Sequence, residues 1–159
     1  MRNCLLALAL AGTAASAQSA PQQLDAATAQ AIVAGCVRRA TSLHHSQAIV
    51  VVDMGGHLVA ALRMDGNGYG SVDFATAKAE AAAAWGFSTA GMAEGARMTP
   101  GFAAAPHVVT VPGGVPVYSG DGRQRLGAVG VSGESPADDA ACAEAGVTAV
   151  GFRSAPMGH

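Results

Sequence analysis

The chain has 159 residues, half of them hydrophobic, with nine basic against eleven acidic side chains and a formal charge of −2. That length fits one domain with a core of its own, and so even a charge balance leaves no basic patch for nucleic acid or an anionic membrane. Beyond the first segment no apolar run reaches the ~20 residues of a membrane-spanning helix, so no membrane insertion of the mature domain is expected.

The first segment is distinctive. Met1-Arg2-Asn3 carries one positive charge, residues 4–15 are an apolar to weakly apolar run, and Ala15-Ser16-Ala17 gives the small-x-small exit that a signal peptidase admits. In that order the three features define a secretory signal peptide over residues 1–17. The run is too short to span a bilayer, and Cys4 stands too early to be a lipid-attachment cysteine. A periplasmic or secreted protein is expected, with its domain over residues 18–152 and a loose tail over 153–159.

Asp25 is placed to cap a first helix, because Ile32, Val33, Cys36, Val37, Ala40 and Leu43 follow at helical spacing. His44-His45-Ser46 end it. Residues 48–52 are β-branched and almost wholly apolar, which reads as a central strand buried on both faces. Asp53-Met54-Gly55-Gly56-His57 forms a turn, its glycines supplying positive φ, and residues 58–64 return as an antiparallel strand. After a glycine-rich loop, Ser71 is expected to cap an alanine-dominated helix from Phe74 to Trp85, and residues 88–97 form a shorter one. Pro100, Pro106 and Pro112 punctuate a connection without periodicity. Residues 113–118 form a strand whose Pro116 argues for a sheet edge, and Asp121-Gly122 turns the chain into a strand over 125–132. In that strand Gly127 and Gly130 leave room for something packed close above it. Ser135 and Pro136 open a last helix to about Ala145, stopped by Gly146. Helix, hairpin, two helices, hairpin, helix is the order of an α+β domain, with helices gathered on an antiparallel sheet.

Behind the signal peptide two cysteines remain, Cys36 and Cys142. In an oxidising compartment such a pair invites a disulfide, which would stabilise the fold by up to about 4.7 kcal/mol in the chain-entropy model. Both also lie on helices among alanines and valines, where two buried thiols fit equally well. Neither has the partner spacing of a zinc site.

Several motifs in order resemble the GlcG/HbpS family. They are Val52 to Val59, Arg63-Met64-Asp65-Gly66, Ala77-Lys78-Ala79, Gly113 to Val117, Leu126 to Gly133 and Asp138-Asp139 before Ala145-Gly146. The similarity runs over about residues 24–150. It implies a profilin-like antiparallel sheet flanked by helices and assembly into homo-oligomers. It also implies haem as ligand: one secreted branch binds haem and iron and reports on a membrane sensor kinase. A related domain joined to a corrinoid adenosyltransferase binds haem, whereas the GlcG branch has no agreed activity. Export tilts this chain toward a non-enzymatic haem- or small-ligand-binding protein.

His44, His45, His57 and His107 are the candidate axial donors, since neutral imidazole is a common haem ligand; His159 is terminal and is set aside. For His44 and His45 a helix-terminal role competes, and for His57 a role in the turn. Met54, Met64, Met92 and Met98 are thioether alternatives, though methionine more often packs. No Cys-x-x-Cys-His occurs, which excludes covalent attachment. A second, polar site joins Arg63, Asp65 and Lys78 with the backbone of Gly113, Gly114 and Ser132 around a small anion or a propionate. It would also serve an enzyme acting on a small oxygenated acid. The competing reading is an internal ion pair of Asp65 with Lys78 or Arg63. Gly-x-Ser-x-Gly, Walker and dinucleotide motifs are absent. Glu80 and Glu94 stand too far apart to gather iron on one helix face, and no metal site is expected.

Overall fold

Strand β1, Ala48–Asp53, lies at the centre of the fold, and all but its last residue are buried. Its alternation divides the interior in two. Ile49 and Val51 join the larger cluster with Ile32, Cys36, Val129, Val131 and Val147. Ala48, Val50 and Val52 join a smaller one with Ala75, Ala79, Ala82 and Ala128. A strand buried on both faces is what the β-branched run demands. The computed structural model describes residues 23–158; the expected signal peptide over residues 1–17 and His159 lie outside the described residues.

The four strands are β1, β2 (Leu58–Arg63), β3 (Gly114–Tyr118) and β4 (Arg125–Ser132). They form one antiparallel sheet in the order β2-β1-β4-β3. Pro116 therefore falls on an edge strand, where its missing N–H costs no ladder bond. Helices α1 (Ala26–Ser42) and α4 (Pro136–Ala149) pack together on one face, and α2 (Tyr69–Trp85) covers the other. Helix α3 (Thr89–Met98) and a short 3₁₀ turn, Phe102–Ala104, follow α2.

The caps follow from sequence with one exception. Asp25 accepts the Thr28 N–H, Ser88 that of Gly91 and Ser135 that of Asp138. Helix α2 instead begins at Tyr69 with Gly68 as its cap and no side-chain bond, so Ser71 lies inside the first turn. Helix α4 also runs on through Gly146 to Ala149. Gly146 is there for packing, because a Cβ on it would stand 2.6 Å from the Ile32 carbonyl oxygen. At that crossing Cys36 and Cys142 are joined by a disulfide, with Cα atoms 4.7 Å apart.

Beyond α4 the chain returns to the β3–β4 hairpin. Arg153 exchanges backbone hydrogen bonds with Tyr118 at 2.8 and 3.1 Å, and the Met157 N–H donates to the Gly122 carbonyl at 3.1 Å. These bonds tie down part of the segment expected as a loose tail. Among the described residues no helix is long and apolar enough to cross a membrane.

Candidate functional site

The β1–β2 turn is built by Asp53. Its N–H donates to the His57 carbonyl at 2.9 Å, and its carbonyl accepts the Gly56 N–H at 3.1 Å. Its carboxylate Oδ1 accepts the N–H groups of Gly55 and His57 at 2.8 and 2.9 Å. Gly56 has φ of 82°, the left-handed value this turn needs. Gly55 is glycine for space: a Cβ would come within 2.6 Å of the His57 ring. The imidazole folds back over it, with Nδ1 3.1 Å from both Asp53 oxygens. The His57 backbone N–H bond, with further help from its ring and the Gly55 N–H, holds the Asp53 carboxyl below its ordinary value, while burial opposes the shift. An ionised carboxylate facing Nδ1 accepts from that nitrogen, so in the neutral ring Nε2 carries the lone pair.

Two clefts open on either side of this turn. One, of about 340 Å³, is lined by Leu24, Asp53, Met54, His57, Arg125 and Leu126, among others. The second, of about 270 Å³, is lined by Met54, Gly55, Gly56, Glu80, Ala84 and His107. They meet at Met54 and Gly55. Met54 is half-exposed and its sulfur accepts from Arg125 Nε at 3.4 Å. His107 has φ of 56°, and the preceding Pro106 carbonyl is held by the Trp85 indole N–H at 3.1 Å.

The four candidate histidines divide between the two ends of β1. His57 and His107 flank the turn after it. His44 and His45 end α1 before it, about 17 Å away at the usual rise per strand residue. His44 takes φ of 57°, its N–H donating to Thr41, while the His45 N–H donates to Ala40. That is a helix-terminating motif with histidine in the left-handed position. Of the methionines, Met92 is fully buried, Met64 packs against the larger cluster and Met98 is exposed on α3; Met54 alone among these four lines the clefts.

The polar residues assemble differently from expectation. Lys78 is fully buried, and its ammonium donates to Asp139 Oδ2 at 3.0 Å and the Val131 carbonyl at 2.9 Å, with the Phe74 ring centroid 4.6 Å away. Its ion-pair partner is thus Asp139 on α4, not Asp65. The same carboxylate accepts from Gln47 Nε2 and the Glu134 N–H. Arg63 donates to the Asn67 carbonyl, and the Asp65 carbonyl accepts the Ser46 hydroxyl. The Gly114 N–H is taken by the Thr89 hydroxyl at 2.9 Å, a Cβ on Gly113 would meet the Lys78 ammonium, and Ser132 is buried at the end of β4. The Lys78 ammonium and the Gly114 N–H are thus satisfied internally, whereas the Arg63 and Asp65 side chains are exposed. Among the described residues no group of three or more His, Cys, Asp or Glu side chains is poised to hold a metal ion. Asp53, Arg125, Leu24 and Leu126 are not among the candidate site residues read from sequence, although Asp53 lies in the expected turn and Leu126 in a family motif. An Asp four residues before a His across a tight turn is the one signal that marks the first of them.

A four-stranded antiparallel sheet with helices on both faces defines a small α+β class of domain, here with a carboxylate-backed imidazole on the β1–β2 turn. The family model described as haem degrading protein HbpS-like matches residues 24–148, and the chain belongs to that family. No curated protein matches the chain. Among solved structures it is similar to a doubly Glu-to-Asp-substituted HbpS of Streptomyces reticuli. The two share 28% identity with a TM-score of 0.73, over 96% of this chain and 100% of that one. It is also similar to Klebsiella pneumoniae protein ORFY, at 26% identity and a TM-score of 0.74, over 86% and 97%. The PduOC:heme complex, at 24% identity and a TM-score of 0.76 over 84% and 99%, shares the fold.

Proposed function

We propose that the chain is an exported, non-enzymatic haem-binding protein that holds haem against the β1–β2 turn with His57 as axial donor. The observation that carries this reading is the His57–Asp53 contact. It fixes the ring by Nδ1 and leaves Nε2 open beside a cleft, the arrangement that iron-ligating histidines share. The surroundings fit the group: Leu24, Leu126 and Met54 supply apolar contact, and Arg125 supplies a cation for a propionate. Bound there, haem would supply an iron centre, while the chain supplies the donor, the apolar wall and the charge. Membership of a family named for haem, and likeness in fold to a protein crystallised with it, support the choice of ligand.

Export rests on the N-terminal pattern and on the disulfide, which belongs to an oxidising compartment. The enzyme reading through Arg63 and Lys78 is the weaker one, because the Lys78 ammonium is buried against Asp139. The test is a haemin titration of the mature protein. Saturation at one haem per chain with a defined Soret band supports the reading; uptake that never saturates contradicts it.

A further inference from the structure

Asp53 does more than close a turn. Three donors converge on its carboxylate, namely the Gly55 N–H, the His57 N–H and the His57 ring Nδ1. The two backbone bonds fix the carboxylate independently of the ring, so the ring meets a negative charge already in place. The other donor atom on the same turn, the Met54 sulfur, has no such backing; it accepts from the Arg125 guanidinium. Imidazole and thioether pull iron in opposite directions. A soft thioether favours the lower oxidation state, whereas an imidazole with anionic character favours the higher.

We infer that Asp53 is a positioning residue that makes this site select ferric over ferrous haem, an inference that rests on the haem-binding reading above. A carboxylate accepting the Nδ1 proton draws it away from the ring and gives Nε2 a more basic, imidazolate-like lone pair. Such a donor stabilises the extra positive charge of ferric iron, and hydrogen bonding behind an axial ligand is one of the levers by which proteins set haem potential. A propionate paired with Arg125 would cancel that cation and leave the Asp53 charge behind the donor. The site would take up oxidised haem, the form that prevails outside a reducing cytoplasm, and lose affinity when the iron is reduced.

The test compares wild type with Asp53→Asn, which keeps an acceptor oxygen for the turn and removes the charge. The inference predicts a more positive midpoint potential for the haem-loaded variant, and a ferric-to-ferrous affinity ratio lower by ~10-fold, the lower end of the range for loss of a carboxylate behind a ligand. An unchanged potential with haemin still bound through His57 overturns it. His57→Ala separates this from failure of the reading beneath it. If His57→Ala binds haemin with the wild-type spectrum, the axial assignment is wrong and the inference falls with it. If His57→Ala loses that spectrum while Asp53→Asn leaves the potential unmoved, only the role of Asp53 is refuted. Wild type alone gives a further check, free of any folding defect. Nitrogen NMR of the haem-free protein should find neutral His57 protonated at Nδ1, and an Nε2-protonated ring contradicts the inference.

Discussion

Lys78 is paired with Asp139 inside the protein. The ammonium and the Asp139 carboxylate are both nearly inaccessible to solvent, and each is costly to bury without the other. Lys78→Met should therefore destabilise the fold by about 3–5 kcal/mol, the range for a buried pair broken on one side. Lys78→Met with Asp139→Asn should recover part of that loss, because the amide oxygen still accepts from Gln47 and Glu134. Denaturant midpoints measure both, and a single variant as stable as wild type contradicts the assignment. Asp53 gives a prediction of opposite character, because it is only partly buried. Its carboxyl is held below the ordinary value near 3.8, first by the His57 backbone N–H. The stability it contributes is fully present above that ordinary value and disappears as pH falls through the lowered one. Asp53→Asn should flatten this part of the acid-side decline in thermal midpoint, and an unchanged decline counts against the turn geometry. At this scale the sequence marked His57 and Lys78 but mis-paired Lys78. Asp139 lies 61 positions away on a helix packed on the opposite face of the sheet, a distance no local spacing bridges.

Helix α2 and strand β4 touch backbone to backbone. A Cβ on Gly130 would fall on the Ala75 carbonyl oxygen and within 2.6 Å of the Ala79 N. Gly130→Ala therefore asks backbone to move, where overpacking a core commonly costs about 1–3 kcal/mol. Loss of at least this much in urea unfolding is expected; a neutral substitution would mean that the helix sits higher than described. This contact was legible beforehand, because an alanine-dominated helix and a strand thinned at Gly127 and Gly130 describe the two sides of one close approach. The boundaries of α2 and α4 were less legible. Ser71 is a better cap by chemistry than Gly68, yet the glycine-rich loop enters the helix two residues before the expected start of capping. Gly146 resembles a helix stop, but α1 requires a hydrogen at that point and α4 continues through it.

For the molecule as a whole, the α1–α4 layer is cross-linked by a disulfide whose two cysteines are buried. The sequence left bridge and free thiols equally open, since only the fold could bring position 36 against 142. Reductant should leave the native protein largely intact, because the bond is shielded. Unfolding in reductant should then lower stability by up to about 4.7 kcal/mol in the chain-entropy model; equal midpoints with and without reductant contradict a structural bridge. The antiparallel sheet and its flanking helices were readable from periodicity and turn residues, because both are local signals. The clefts were not, since they gather Leu24, Met54, His107 and Arg125 from separate segments. The account as a whole stands on the claim that one histidine of the four candidates donates to haem. The most direct test is the Soret spectrum of haemin-saturated His57→Ala beside that of His107→Ala. The account predicts that the first loses the defined wild-type band and the second keeps it. A His57→Ala protein with an unaltered band would contradict it.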